Sequence, residues 1–202
     1  MLGVVAGFVN TVAGSGSLLT VPMLILLGLP ANIANGTNRV GVTFQNVVAV
    51  ATFMRHGAID RTGVRRLLVP SVLGGIVGAR RRAPLWIELP VFFAIGIYGG
   101  FIQIGVGIFL SAALVLCSGY DLVAANALKN LLVLAFTAAA LVVFIVNHQV
   151  QWALGLVVAV FQGVGAWLAV HVTLRRGAGF VRVAMIVIVA ASAIALFAGL
   201  RP

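Results

Sequence analysis

The sequence predicts an all-α, polytopic integral membrane protein: a single transmembrane domain over residues 1–202, built as two inverted repeats, each with a broken, re-entrant helical hairpin plus spanning helices. Three observations carry this expectation. The chain is 62% hydrophobic and only 8% charged, with a mean hydropathy of +1.21. A glycine- and asparagine-marked pattern recurs at a fixed offset of 91 residues, and loops equivalent by that offset differ sharply in charge.

A soluble domain carries about 25% charged residues. Asp60, Glu88 and Asp121 are the acidic side chains of the whole chain, too few to dress a water-facing surface, so lipid must be the outer solvent. Lipid leaves no partner for exposed backbone groups, which restricts spanning structures to helices or closed barrels. Barrel strands alternate apolar and polar residues in segments of about ten; the apolar runs here are continuous and rich in Ala, Leu and Gly. The net charge of +10 comes from twelve arginines and one lysine. Most of the arginines fall in short gaps between apolar runs, where cytoplasmic loops collect positive charge. Nucleic acid is not an expected partner, because no basic stripe has a soluble platform. Cys117 stands alone, which excludes an internal disulfide and a cysteine metal cluster. The opening Met1-Leu2-Gly3-Val4 lacks a charged n-region and reads as the start of a membrane segment.

A span needs about 20 apolar residues. Leu2 to Leu29 is interrupted by Ala13-Gly14-Ser15-Gly16-Ser17 and by Pro22, which predicts two half-helices around a break. Ile33 to Met54 follows and ends in a basic loop with Arg55, Arg61, Arg65 and Arg66. A third run, Leu67 to Ala79, ends at Arg80-Arg81-Arg82. Leu89 to Leu116 is broken at Gly105-Val106-Gly107. Leu122 to Val146, Trp152 to Leu174, the basic turn Arg175-Arg176, and Val181 to Leu200 complete the chain.

The offset of 91 pairs Gly14 with Gly105, Gly16 with Gly107, Gly28 with Gly119, Ala34-Asn35 with Ala125-Asn126, Phe53 with Phe144 and Ile59 with Val150. Repeats of this kind are the strongest architectural signal a sequence offers, and they divide the chain into copies over 1–88 and 89–202. The loop over 55–66 holds four arginines, whereas Asn147-His148-Gln149-Val150-Gln151 holds no formal charge with its histidine neutral. The positive-inside rule puts the first in the cytoplasm and the second outside, the plan of an inverted-repeat secondary transporter. Inversion needs an odd number of crossings per copy, and the first copy has one apolar run fewer than the second. The count therefore predicts that a helix-plus-loop is absent near Ala79 to Arg82.

The candidate substrate-binding residues fall into two groups. The first is the pair of breaks, Gly14-Ser15-Gly16-Ser17 and Gly105-Val106-Gly107, with Thr20, Gln103 and Ser111 beside them. Glycine lets the backbone reverse in the membrane, and N–H groups at a half-helix start then point at a bound anion. Close packing through small residues is the competing explanation. The second group is the helix start after each hairpin. Asn35, Asn38 and Arg39, and equivalently Asn126, Lys129 and Asn130, lie at i, i+3 and i+4 on one helical face. Cation and amide swap places between the copies. Ionisable groups inside apolar runs mark function by default; the alternative is that Arg39 and Lys129 snorkel to headgroups. Asn35-Gly36-Thr37 also matches a glycosylation sequon, without meaning inside a membrane. His56, His148 and His171 lie at helix ends, too scattered for a metal or haem site. Asp60, Glu88 and Asp121 suit capping or loop roles, Asp121 that of an N-cap. Trp86, Trp152 and Trp167 suit interfacial anchoring. No nucleophile–base arrangement and no P-loop is present, so no enzyme activity, metal or cofactor is expected.

Gly7-Phe8-Val9-Asn10 running into Ala13-Gly14-Ser15-Gly16-Ser17-Leu18-Leu19-Thr20-Val21-Pro22 resembles the glycine-rich opening of the TauE/SafE sulfite-exporter family. Ala34-Asn35-Gly36-Thr37-Asn38, Gly105-Val106-Gly107 and Ala125-Asn126-Ala127-Leu128-Lys129-Asn130 fit the same pattern. The resemblance covers essentially the whole chain. It departs from the family in lacking the fourth hydrophobic segment and in reading Gly-Ser-Gly-Ser where a triple glycine is typical. It implies two homologous halves and transport of sulfite, a sulfonate or a related organic anion across the bacterial inner membrane. The expected function is thus a secondary transporter, an exporter of a small anion; a haem- or quinone-binding redox or biogenesis subunit and a passive anion channel are the alternatives. The expected partners are the anionic substrate, membrane lipids and a homo-oligomeric copy.

Overall fold

The computed structural model describes residues 1–58, 90–91, 94–95 and 105–199. It is helical, with no strand among the described residues. The elements are α1 (Leu2–Ala13), α2 (Ser17–Leu26), α3 (Ala31–Arg55), α4 (Val106–Leu116), α5 (Leu122–Val146) and α6 (Trp152–Gly199). Arg61, Arg65, Arg66, Arg80 to Arg82, Asp60, Trp86, Glu88, Gln103 and the third apolar run lie outside the described residues.

The first apolar stretch is two half-helices, as its composition requires. α1 ends where Gly14 turns left-handed at φ 77° and its N–H bonds the Asn10 carbonyl. α2 starts from Gly16 and runs through Pro22. At 1.5 Å per residue the two rise roughly 18 and 15 Å, each about half of a 30 Å hydrocarbon core. α3 and α5 have 25 residues each, enough for about 37 Å. α5 and the Trp152–Ile188 part of α6 are also apolar enough to cross. α6 bends at Gly177 (φ 68°, ψ −162°), directly after the basic pair Arg175-Arg176, in a conformation essentially reserved for glycine.

The 91-residue offset is written into the backbone. It carries both ends of α3 onto both ends of α5, Ala31 to Leu122 and Arg55 to Val146. Positive φ values at Gly14, Gly28 and Gly57 recur at Gly105, Gly119 and His148. Both long helices end alike. Ala58 N–H bonds the Phe53 carbonyl, and Gln149 N–H bonds that of Phe144, the six-to-one closure of a Schellman cap. His148 thus adopts, at φ 54°, a backbone its counterpart entrusts to glycine.

α3 lies at the centre. It runs beside the first arm of α6 in the same direction: the Gln151 N–H donates to Thr37 Oγ1 at 2.9 Å, Gly163 seats the Phe44 ring, and His56 meets His171. Against α5 it runs the opposite way. Gly36 lies on the Gln149 carbonyl and Phe144, Val42 clusters with its own counterpart Val133, and Phe53 clusters with Ala127. Large apolar side chains such as Phe44, Val47, Val143, Leu156, Val160, Phe161 and Trp167 face outward, while Asn10, Thr11, Asn38, Arg39, Gln45, Asn46 and Lys129 are buried. A water-soluble protein sorts its residues the other way; this is a polytopic membrane protein.

Candidate functional site

The first break is held by polar side chains of the helices around it. Asn10, in the last turn of α1, turns its Oδ1 to accept the Gly16 N–H at 3.2 Å. The Thr20 hydroxyl on α2 donates to Asn38 Oδ1 at 2.5 Å, and Asn38 Nδ2 donates to Ser17 Oγ at 3.1 Å. Gln162 on α6 approaches the same Asn38 oxygen at 3.5 Å. Asn38 therefore locks α2 onto α3 within one copy. Such bonds between membrane helices contribute on the order of 1 kcal/mol each.

At the equivalent position of the second copy, Lys129 reaches into the first copy. Its Nζ donates to the carbonyls of Thr11 at 2.6 Å and Val12 at 3.1 Å, and to Asn126 Oδ1 at 2.6 Å. Asn130 Nδ2 bonds the Asn126 carbonyl at 2.7 Å and reaches the Thr11 carbonyl at 3.3 Å. The last carbonyls of a helix lack intrahelical partners, and the negative end of the helix dipole favours a cation there. The lysine is 1% exposed, so it does not snorkel.

The two breaks meet at this point. Gly14 and Gly107 press backbone to backbone, and the Lys129 stem packs on Gly107. Between them is a small cavity of about 10 Å³, lined by Asn10, Gly14, Asn46, Val106, Lys129, Asn130 and Val133. Ser15 Oγ in the break, Thr11 Oγ1, Ser111 Oγ, Asn126 Nδ2 and both amide atoms of Gln45 are buried with no hydrogen-bond partner among the described residues. Buried polar atoms are normally satisfied, so these atoms retain hydrogen-bonding capacity that the described residues do not use.

Of the residues expected from the sequence, Gly14, Lys129 and Asn130 line the cavity, Asn126 holds the lysine, and Gly107 and Ser15 border the junction. Ser17 and Asn38 bind each other instead. Gly16 packs against the Ala6 carbonyl and Asn10, Asn35 is half-buried, and Gly105 precedes α4 in a left-handed conformation, with no described residue within 4 Å of where a Cβ would be. Arg39 is fully buried and sits over the Phe144 ring at 4.9 Å from its centroid, a cation–π contact away from the cavity lining. Sequence reasoning passed over Asn10, Gln45, Asn46 and Gln162, although an amide inside an apolar run is the same signal that singled out Asn35 and Asn38.

His56 and His171 are closer than their sequence positions suggest: their rings meet edge to face at 5.2 Å, and Trp167 lies 4.3 Å from His171. Each Nδ1 pairs with the carbonyl four residues earlier, and the stack closes one end of the α3/α6 seam. Asp121 is the N-cap expected of it, accepting from the N–H groups of Val123 and Ala124.

The description "Sulfite exporter TauE/SafE" belongs to the family model that matches residues 1–81 and 79–196. The chain is 28% identical over 229 residues to "Probable membrane transporter protein YfcA" of Escherichia coli strain K12, covering 94% of this chain and 84% of the relative. It is 23% identical over 232 residues to "Probable membrane transporter protein ORF9" of a Sinorhizobium species, covering 96% and 89%. A "Probable membrane transporter protein" of Haemophilus influenzae is 24% identical over 219 residues, covering 90% and 86%. These aligned stretches exceed the 202 residues of this chain, so the relatives hold internal residues that it lacks. The family match divides at 79–81, where the count of apolar runs places an absent helix-plus-loop. No solved structure matches the chain. With the family model spanning nearly all of it, the chain belongs to the sulfite exporter TauE/SafE family of membrane transporters.

Proposed function

We propose that the chain is a secondary transporter that exports a small anion, sulfite or a sulfonate or related organic anion, across the bacterial inner membrane by alternating access. One observation carries this reading: the cavity where two half-helix breaks touch is lined by a buried ammonium and three amides. The lysine spends its three N–H groups on protein oxygens, so it would supply charge to the site. Hydrogen bonds to the anion would come from Asn126 Nδ2, Ser15 and the neighbouring amides. At about 10 Å³ the cavity holds roughly one water. A sulfite-sized anion would enter only when the Gly14 and Gly107 backbones part, which is the motion alternating access calls for. An inverted relation between the halves is supported by the antiparallel crossing of α3 and α5 and by the lopsided loop charge. Arg39 would add positive potential along the route.

The test is binding of sulfite, thiosulfate, a sulfonate and a carboxylate to the purified protein, followed by flux in proteoliposomes. Saturable binding of an oxyanion, lost in Lys129→Ala and weakened in Arg39→Ala, supports the assignment. Binding untouched by either change would overturn the site, and flux that never saturates would identify a channel instead. A stoichiometric Soret band in the purified protein would favour the redox reading.

A further inference from the structure

Among the described residues, the shell around the Lys129 ammonium is made of oxygens: two main-chain carbonyls at the broken end of α1 and one side-chain amide oxygen. The carbonyl ends of half-helices, together with side-chain oxygens, are how inverted-repeat transporters hold a dissociable Na⁺ or proton. An ammonium has three donors and no acceptor, and here all three are matched, at 2.6, 3.1 and 2.6 Å. At the equivalent position of the first copy, Asn38 is neutral and bonds Thr20 and Ser17 of its own hairpin. The Lys129 cation is joined covalently to α5 and coordinated by α1 across 118 residues of sequence.

We propose that Thr11 O, Val12 O and Asn126 Oδ1 form a monovalent-cation site that Lys129 fills as a tethered ion, so that this chain needs no dissociable alkali cation to close its breaks. The inference rests on the transporter reading only for its functional meaning; the site itself is a property of the folded chain. A hard monovalent ion such as Na⁺, or ammonium, suits the same three oxygens once the lysine is removed. Lys129→Ala leaves the shell with space where the side chain was, and Lys129→Met fills the stem but not the charge.

The experiment follows thermal unfolding of the full-length protein by tryptophan fluorescence in NaCl, KCl, NH₄Cl or choline chloride at equal ionic strength. The wild-type Tm is expected to be the same in all four salts. Lys129→Ala is expected to lose stability in choline and to recover it, saturably, with Na⁺ or ammonium. Lys129→Met is expected to be destabilised with little recovery, because its stem occupies the approach. Asn126→Ala in the Lys129→Ala background is expected to abolish the recovery. A wild-type Tm that rises specifically with Na⁺ or K⁺ overturns the proposal. So does a Lys129→Ala variant that behaves identically in every salt, including one that cannot be recovered folded in any of them. Cation rescue without binding of any tested anion would keep the cation site and reject the anion-transport reading, so the two can fail separately.

Discussion

The contact between Gly14 and Gly107 can be tested by a graded series of alanines. Gly14 combines two constraints, a left-handed φ of 77° and a Cβ position that falls on the Gly107 backbone. A left-handed backbone costs a residue with a Cβ about 1–2 kcal/mol. Forcing a methyl into a packed site costs about 1–3 kcal/mol, or more where the obstacle is backbone that cannot rotate away. Gly14→Ala should therefore lose roughly 2–5 kcal/mol, the sum of those two ranges. Gly107→Ala meets the same contact from the other side, but in a helical conformation. It recovers up to about 1 kcal/mol of helix propensity, so its net loss is smaller. Gly105→Ala is the comparison: φ is 71°, and nothing among the described residues lies within 4 Å of its Cβ, so the conformational cost of about 1–2 kcal/mol dominates. Thermal unfolding in detergent should rank Gly14→Ala clearly below the other two, at about 2–4 °C per kcal/mol for a chain of this size. The Gly14→Ala/Gly107→Ala double variant should lose less than the sum, because the second methyl enters space the first has opened; coupling of about 0.5–3 kcal/mol is typical of residues in contact. Gly14→Ala no worse than Gly105→Ala, or strict additivity in the double variant, would refute the back-to-back contact.

Two further outcomes follow from the same geometry. Asn38→Leu removes the partner of Thr20 and Ser17 and should destabilise by about 1–3 kcal/mol for the polar groups left buried, read by unfolding, with α2 becoming the first segment to exchange its amides. His148→Gly relieves a side chain held at positive φ and should raise the unfolding midpoint by about 1 kcal/mol equivalent, whereas Gly57→Ala, at the equivalent position, should lower it by a similar amount; no change in either would deny the two caps their common conformation.

The elements were legible because their ends are punctuated. Gly28-Leu29-Pro30 and Gly119-Tyr120-Asp121 stop one helix and start the next, so the expected runs Ile33 to Met54 and Leu122 to Val146 fall within a few residues of α3 and α5. The break at Gly14 to Gly16 was legible for the same reason, as was the start of α4 at the left-handed Gly105. What lies across each break was not. Spacing at i, i+3 and i+4 shows that Asn126, Lys129 and Asn130 share a face, but not that the face meets the carbonyl end of α1. That contact depends on helix packing between residues 118 positions apart. Arg39 illustrates the converse: it shares its expected face with Asn38, yet its charge ends over Phe144, a contact set by which helix packs beside it and not by its spacing along α3.

The exchange of cation and amide between the copies has a mechanical consequence. Asn38 and Lys129 occupy equivalent positions, but Asn38 makes its bonds to α2 and Lys129 to α1. Parting α1 from α5 must break two bonds from Lys129 and the longer bond from Asn130 to Thr11, while the bonds joining α2 to α3 through Asn38 can stay intact. Parting α2 from α3 does the reverse. Among the described residues, the bonds of Asn38 and of Lys129 therefore resist different displacements. The seam between Gly14 and Gly107, where no side chain intervenes, lies beside the Lys129 clamp and is opened by the first displacement. Among the described residues that preference comes from a lysine standing where the other copy has an asparagine, because the longer, charged side chain reaches the carbonyl end of α1 while the amide stays with its own hairpin.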